Sequence, residues 1–276
     1  MTAEPGQEGP DRQRFETVFL IPTYNEERTI LDVLERSYAL ADLIVVVDDG
    51  SRDDTSALLR AYCKDHPKVS LLTHTINQGM SGALLTGLAY LDQLRADSRL
   101  LPDDVVVMMD ADGQHLPEES TTAVAVLKHE RLDVLLGRRD FSGYPRLKRI
   151  GNRLLTLWAR LLSGFPYQDV ECGFRVMRIG TLSEVLPYFT GRKYGCAQEL
   201  AVITARRGLR VQNRFPTTIA FYRKGARLRD GFNNLVMGFR AFVRVRSGRR
   251  YPDERLQART AFTITHDGEM RGRTLP

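Results

Sequence analysis

Residues 105–115 read Val-Val-Val-Met-Met-Asp-Ala-Asp-Gly-Gln-His, a stretch that joins an apolar run to a polar turn. Five consecutive apolar residues, three of them β-branched, are typical of a strand that is covered on both faces of a parallel sheet. In open α/β sheets, ligands bind just beyond the carboxyl ends of the strands. The acidic turn at 110–115 is therefore a candidate functional site.

Apolar runs and helical patterns alternate through the first half of the chain. The predicted strands are Thr17–Ile21, Leu43–Val47, Val69–Leu72, Val105–Met109 and Asp133–Leu136. The predicted helices between them are Glu26–Tyr38, Thr55–Cys63, Ser81–Arg95 and Glu118–His129. Such alternation predicts an α/β fold in which helices flank a mostly parallel central sheet.

Two more predicted strands end in acid-bearing turns. The first strand is followed by Pro22-Thr23-Tyr24-Asn25-Glu26, and the second by Asp48-Asp49-Gly50-Ser51. The carboxyl ends of parallel strands meet at one edge of the sheet, so we expect all three turns to form one site. The chain contains neither Gly-x-Gly-x-x-Gly nor Gly-x-x-x-x-Gly-Lys-Ser/Thr, which argues against a dinucleotide-binding fold and a P-loop.

The acidic turn itself predicts a metal site. Asp110 and Asp112 leave the strand two residues apart and are able to converge on one hard divalent cation, with Gln114 as a further oxygen ligand. Mg²⁺ or Mn²⁺ fits oxygen ligands that leave positions open for a diphosphate. An Asp-rich turn without a metal is the alternative, because Asp and Gly are common in turns for local reasons.

Composition indicates an ordinary globular protein with an uneven charge. The 276 residues are 42% hydrophobic and 27% charged. Seven basic residues stand against one acidic residue in segment 138–160, and nine against one in segment 221–250, although the net charge is only +6. These segments predict an anionic partner or, equally, solvated helix faces. A nucleic-acid-binding module is disfavoured, because no recognised motif appears and acidic strand ends would repel phosphate.

The segments at the two ends predict tails rather than core. Residues 1–16 and 247–276 are polar and lack periodicity. Neither a signal peptide nor an apolar run of about 20 residues is present, and the three cysteines are far apart in sequence. The sequence therefore predicts a cytoplasmic protein.

Together the motifs resemble those of family 2 glycosyltransferases of GT-A fold. The likeness rests on Pro22–Glu26, Val47–Ser51 and Asp110–His115 in this order, with the Gly-rich segment Asn77–Ala83, and it covers about residues 17–230. Within that family the chain is most similar to polyprenol-phosphate (dolichol-phosphate) mannosyl- and glucosyltransferases. Gly137-Arg138 and the run Asp169-Val-Glu-Cys-Gly-Phe-Arg175 resemble further motifs of those enzymes.

The resemblance implies a role for each matching residue. The residues it assigns to the nucleotide sugar are Pro22, Tyr24, Glu26, Asp48, Asp49, Asp110, Ala111 and Asp112. The metal ligands would be Asp110, Asp112 and Gln114, and the arginines that meet donor or acceptor phosphates would be Arg138, Arg149, Arg223 and Arg227. The chain departs from the family pattern at Met80, Cys172 and Arg214, which leaves donor and acceptor open.

The implied reaction is an inverting, metal-dependent transfer of a hexose from a GDP-mannose or UDP-glucose type donor. A polyprenyl-phosphate acceptor is already an anion and needs no strong base, whereas a hydroxyl acceptor of a glycan or small molecule does. Glu199 is the candidate base, and the catalytic set is then Asp112, Arg138 and Glu199. A solvated acid at a helix start is the alternative role for Glu199. The intact acidic motifs argue against a non-catalytic scaffold.

Two amphipathic segments, Arg146–Ser163 and Gly231–Arg246, carry apolar stripes beside arginines. Basic amphipathic helices bind anionic membrane surfaces, although the same pattern also suits a helix packed on the core. The sequence thus predicts peripheral contact with the cytoplasmic face of a membrane and leaves open a separate membrane-protein anchor.

Overall fold

The first half of the chain forms four β–α units. In this computed structural model, the described residues are 14–192, 195–219, 228–251, 262–266 and 269–273. The strands of this half are β1 (Thr17–Thr23), β2 (Leu43–Asp48), β3 (Val69–Thr73) and β4 (Val105–Met108), and the helices are α1 (Ile30–Tyr38), α2 (Thr55–Asp65), α3 (Met80–Ala96) and α4 (Glu119–His129).

The second half contains longer helices and more irregular connections. Its strands are β5 (Val134–Arg139), β6 (Arg175–Arg178), β7 (Val211–Thr217), β8 (Phe262–His266) and β9 (Glu269–Arg273). Its helices are α5 (Arg146–Ser163), α6 (Leu182–Val185), α7 (Cys196–Arg206) and α8 (Leu228–Arg246), with a 3-10 turn at Ile179–Thr181.

The described strands form one nine-stranded sheet in the order β7-β5-β6-β4-β1-β2-β3-β8-β9. Strands β4, β1, β2 and β3 are parallel, and β6 is inserted antiparallel between β4 and β5. The order reverses at β1, because β2 and β4 lie on opposite sides of it. The fold therefore opens a crevice at the carboxyl ends of these strands.

Helices cover both faces of the sheet, as the continuous apolar strands require. One hydrophobic core packs β-strand side chains against α1, α2 and α4, with Leu34, Leu59 and Leu127 fully buried. The other packs the alternate side chains against α3, α7 and the inner faces of α5 and α8. The predicted α/β class, the five predicted strands and the four intervening helices are confirmed, with ends that shift by a few residues.

The predicted boundaries of the tails differ from the structure. Phe15 is 3% exposed in the core, and its N–H donates to the carbonyl of Arg99 (3.2 Å). At the other end, β8 pairs antiparallel with β3 and β9 pairs with β8. The prediction of a tail over 247–276 is wrong for these strands, because β3 would otherwise be an edge strand with unpaired backbone groups. Helix α8 also begins three residues earlier than predicted.

Candidate active site

The cleft lies where the sequence predicts it, at the carboxyl ends of β1, β2 and β4. It measures about 260 Å³. Its walls come from the three polar turns and from the start of α3. The lining residues are Pro22, Thr23, Tyr24, Glu26, Asp49, Asn77, Gly79, Met80, Ala83, Asp110, Ala111 and Asp112. Most of the nucleotide-sugar residues implied by the resemblance are therefore brought together here.

Asp110 and Asp112 form the acidic side of the cleft. His115 turns back toward the strand end, and its Nε2 lies 3.3 Å from Asp110 Oδ2. The N–H of Gln114 donates to Asp112 Oδ1 (3.0 Å), which fixes the turn. Asp110 keeps a partly exposed carboxylate, whereas the ring of His115 is buried beneath it. Both carboxylates thus line one side of an open cleft.

The two carboxylates differ in pKa because their neighbours differ. Burial alone would raise the pKa of Asp110, but the hydrogen bond to His115 and the charges of Arg175 and Arg139 lower it overall. The pKa of Asp112 is raised, first by burial and then by the negative charge of Asp110. A cation between the two carboxylates would relieve this repulsion.

A close backbone approach holds Asp110 in place from behind. A Cβ on Gly173 would lie 2.4 Å from Asp110 Oδ2, so only glycine leaves room for the carboxylate. Arg175, two residues later on β6, is buried, and its Nη2 donates to the carbonyl of Val170 (2.9 Å). Sequence reasoning included Gly173 in a motif but could not show that it touches Asp110.

The chemistry of the cleft fits a hard divalent cation. Asp110 and Asp112 supply carboxylate oxygens, and the side chain of Gln114 is half-buried nearby on the same turn. No group of three or more His, Cys, Asp or Glu side chains in the described ranges could hold a metal without other ligands. The remaining positions would therefore be left for oxygen atoms of a ligand or water.

Asp49 organises the opposite side of the cleft. Its carboxylate accepts hydrogen bonds from the backbone N–H groups of Gln78 (2.8 Å) and Gly79 (2.7 Å), just before α3. The ring of His74 lies 2.6 Å from the same carboxylate and 2.8 Å from Thr86 Oγ1. Asp49 therefore lines the cleft and also holds the glycine-rich segment. The sequence did not predict this second role, because it depends on contacts between residues that are distant in the chain.

Asp48 does not line the cleft. Its carboxylate is fully buried in the β2–α2 turn, where it accepts from the N–H of Ser51 (3.0 Å) and from the hydroxyl of Ser56. These bonds fix the start of α2. The prediction that Asp48 contacts the nucleotide sugar is not supported by this position, because local hydrogen bonds occupy its carboxylate.

The predicted phosphate-binding arginines occupy different places. Arg138 is exposed at the end of β5, with its Nη1 2.8 Å from Gln168 Oε1. The next residue, Arg139, makes a bidentate pair with buried Asp169 (both 2.8 Å) and is thereby fixed. Arg149 lies half-exposed in the first turn of α5. Arg223 and Arg227 lie outside the described residues.

Glu199 is neither on the cleft nor solvated. Its side chain is 0% exposed, accepts a hydrogen bond from Thr190 Oγ1 (2.7 Å) and pairs with Arg244 Nη1 (3.4 Å). Burial raises its pKa to about 7, against the opposing effects of Thr190 and Arg244. Residues from α8 and from the loop before α7 thus surround Glu199, which the sequence pattern of α7 alone could not show.

The apolar stripes of α5 and α8 are only partly used for packing. Large side chains that remain at least 46% exposed are Leu147, Ile150, Leu154, Leu157 and Leu161 on α5 and Phe232, Phe239 and Val243 on α8. The two helices lie side by side, because Trp158 Nε1 donates to the carbonyl of Leu235 (3.0 Å). No described helix is both long and apolar enough to cross a bilayer.

Comparison with known proteins agrees with this arrangement. The model of Glycosyl transferase family 2 matches residues 18–183. A UDP-N-acetylglucosamine–dolichyl-phosphate N-acetylglucosaminyltransferase of Methanococcus voltae is 27% identical over 247 residues, which covers 82% of this chain and 93% of that protein. An undecaprenyl-phosphate mannosyltransferase of Micrococcus luteus is 29% identical over 202 residues, which covers 70% of this chain and 79% of that one.

A solved structure shows the same fold. Glucosyl-3-phosphoglycerate synthase of Mycobacterium tuberculosis, in complex with Mn²⁺, UDP-glucose and phosphoglyceric acid, superposes with a TM-score of 0.61 at 20% identity. The match covers 85% of this chain and 80% of that one. The predicted GT-A fold and family are confirmed. Since the family model covers more than half of the sequence, the chain belongs to glycosyl transferase family 2 and is an enzyme of that family.

Proposed function

We propose that the enzyme transfers a hexose from a nucleotide-diphosphate sugar to polyprenyl phosphate, with inversion at the anomeric carbon. The observation that carries this proposal is the pair Asp110 and Asp112 in an open cleft at the strand ends. Relatives named for dolichyl-phosphate and undecaprenyl-phosphate acceptors support the choice of acceptor. The UDP-sugars named for one relative and for the solved structure support a UDP-sugar donor, and a GDP-sugar is the alternative that the sequence motifs leave open.

In this proposal the two sides of the cleft bind different parts of the donor. Pro22, Tyr24 and Glu26 line the side for the nucleoside, next to the loop that Asp49 holds. Asp110 and Asp112 would hold Mg²⁺ or Mn²⁺, which neutralises the leaving diphosphate when bound. His115 orients Asp110 from beneath. Arg138, exposed at the end of β5, would meet a phosphate of either substrate.

The acceptor determines whether a base is needed. A lipid phosphate is already ionised at neutral pH and attacks through an oxygen that carries no proton. A hydroxyl acceptor must lose a proton to a nearby carboxylate. Glu199 is buried between Thr190 and Arg244 and is not among the residues that line the cleft. This placement removes the candidate base of the hydroxyl alternative, whereas a phosphate acceptor needs none.

Membrane contact follows from the same acceptor. A polyprenyl chain resides in the bilayer, so the enzyme must approach its surface. The exposed apolar side chains of α5, with Arg146, Arg149 and Arg153 on the same helix, are suited to an anionic membrane interface. We propose peripheral contact at the cytoplasmic face through α5 and α8, with or without a membrane-protein anchor.

The experiment is a transfer assay with purified protein and a short-chain polyprenyl phosphate. UDP-glucose, UDP-N-acetylglucosamine and GDP-mannose are each supplied with Mg²⁺ or Mn²⁺. We expect one donor to yield a polyprenyl-phosphate sugar of inverted configuration, and chelation of the metal to abolish product formation. Transfer only to hydroxyl acceptors would overturn the proposed acceptor.

A pair of variants tests the site within the same assay. Asp112→Asn should abolish transfer while the protein stays folded, since Asp112 is half-exposed and caps only its own turn. Asp65→Asn, at the exposed end of α2, removes the same charge away from the cleft and should keep full activity. Full activity of Asp112→Asn would contradict the assignment of the metal site.

A further inference from the structure

A second, strongly basic groove lies at the carboxyl end of α8. It measures about 520 Å³, and among the described residues it shares no lining side chain with the cleft. Five arginines line it: Arg192, Arg240, Arg244, Arg249 and Arg250. Neither the sequence motifs nor the proposed glycosyl transfer explains why so many guanidinium groups meet at this place.

The backbone holds the arginines around the groove. Helix α8 ends at Arg246, Gly248 two residues later has a left-handed conformation (φ 64°), and the N–H of Arg249 donates to the carbonyl of Arg244 (3.2 Å). The N–H of Tyr251 then donates to the carbonyl of Pro187 (2.8 Å), which ties the chain after α8 to the loop that carries Arg192. Arginines from two separate segments therefore converge on one groove.

Among the residues that the structure describes, one carboxylate pairs with an arginine of the groove. Arg244 pairs with Glu199 (3.4 Å) and stacks over the ring of Tyr251 at 4.8 Å. Within the described ranges, the other four arginines have no carboxylate within ion-pair distance. Guanidinium groups are well suited to phosphate, because they donate parallel hydrogen bonds to its oxygens. The groove thus has the chemistry of a phosphate-binding site.

Its apolar wall indicates which phosphate it binds. Phe239 and Val243 line the groove and are 50% and 46% exposed, and both belong to the exposed apolar face of α8. Inorganic phosphate or pyrophosphate gains nothing from this wall, whereas a lipid presents a phosphate beside an apolar chain. Basic side chains next to an apolar helix face are the arrangement that binds anionic lipids.

We propose that this groove binds the phosphate headgroup of an anionic membrane lipid and thereby orients the enzyme on the bilayer. This inference rests on the proposed action at a membrane surface but concerns a site other than the catalytic cleft. Phe239 and Val243 would enter the interface, while Arg240, Arg249 and Arg250 hold the headgroup.

Vesicle binding tests the proposal. Sedimentation compares vesicles of pure phosphatidylcholine with vesicles that also contain phosphatidylglycerol. The groove variant carries Arg240→Gln, Arg249→Gln and Arg250→Gln. The control removes the same charge from three exposed residues of α2 and α4, by Arg60→Gln, Lys64→Gln and Lys128→Gln. We expect the groove variant to bind anionic vesicles about 100-fold less tightly and the control to bind within about threefold of the unmodified enzyme.

Each other outcome counts against the proposal. Equal losses in both variants would mean that net charge alone drives binding, and no loss in the groove variant would exclude the groove. Tight binding of inorganic pyrophosphate without preference for anionic vesicles would assign the groove to a free phosphate compound instead. Transfer to short-chain polyprenyl phosphate, measured without vesicles, tests the proposed function separately.

Discussion

Gly173 offers the sharpest test of the candidate active site, because its neighbour is the carboxylate of Asp110. A Cβ at this position would lie 2.4 Å from Oδ2 and 2.9 Å from Cγ, whereas ordinary contact begins at 3.4 Å. Gly173→Ala must therefore displace the carboxylate by about 1 Å or move the loop by the same amount. Gly173 is not among the residues with a positive φ, so the backbone itself accepts alanine.

We expect Gly173→Ala to lower the rate of transfer rather than the stability of the folded protein. A displacement of about 1 Å in a positioning group lowers rate by about 100-fold, or about 2.7 kcal/mol of transition-state stabilisation. It would also separate Asp110 from His115, whose Nε2 is 3.3 Å away. Metal-dependent binding of the nucleotide should weaken in parallel, since Asp110 is one of the two carboxylates proposed to hold the metal.

The assay combines transfer kinetics with a thermal-shift titration of UDP or GDP in the presence of Mn²⁺. Gly151→Ala is the matched control, because a Cβ at that exposed position of α5 meets nothing within 4 Å. The control should keep its activity and melt at the same temperature or slightly higher. Normal transfer and normal metal-dependent binding by Gly173→Ala would refute the role given to Asp110.

Three further predictions address the rest of the molecule. Asp49→Asn should weaken the hydrogen bonds that hold the glycine-rich loop, and so lower the free energy of unfolding by about 2–4 kcal/mol in urea titrations and raise the KM for the donor. An unchanged KM would show that the loop does not contribute to donor binding. Burial raises the pKa of Glu199 to about 7 from an ordinary 4.5, so the folded protein keeps a proton there that the unfolded chain releases. The free energy of unfolding should therefore fall, by at most about 3 kcal/mol, as the pH rises from about 4.5 to about 7. Glu199→Gln should flatten this dependence while transfer to a phosphate acceptor continues. Loss of transfer in a folded Glu199→Gln variant would return Glu199 to the catalytic set. Replacing three exposed leucines of α5, Leu154, Leu157 and Leu161, by glutamine should weaken vesicle binding by about 3 kcal/mol without lowering the melting temperature. The control Leu101→Gln should leave vesicle binding unchanged, and unchanged binding by the α5 variant would remove α5 from the membrane interface.

The part of the cleft formed by residues 22–26 and 110–112 was predictable because its signals are local. Continuous apolar runs specify buried parallel strands, and the rule that ligands bind at their carboxyl ends then places 22–26 and 110–112 together. Tyr24, Glu26 and Asp112 do line one cleft. No long-range contact had to be known, because the parallel order of β1, β2 and β4 alone brings the turns to one edge.

Adjacent residues of one type could not be separated in the same way. Asp48 and Asp49 follow the same strand, yet Asp48 bonds to Ser51 and Ser56 of the following turn and helix, whereas Asp49 bonds to the loop before α3. Which of them faces the cleft depends on where residues 74–79 pass. That path is set by the packing of β3 and α3, and the motif itself does not encode it.

Candidate residues in the second half of the chain depend still more on distant partners. Gly173 is required by Asp110, Arg139 is fixed by Asp169, and Glu199 is enclosed by Arg244 of α8. Each pair joins segments at least 30 residues apart, so helix periodicity around Glu199 predicted its helix but not its environment. Arg244 of α8 thereby pairs with buried Glu199 and also lines the basic groove. If the groove variant lost its binding to anionic vesicles while Glu199→Gln kept its transfer activity, α8 would orient the enzyme on the membrane and would take no part in the reaction at the strand ends.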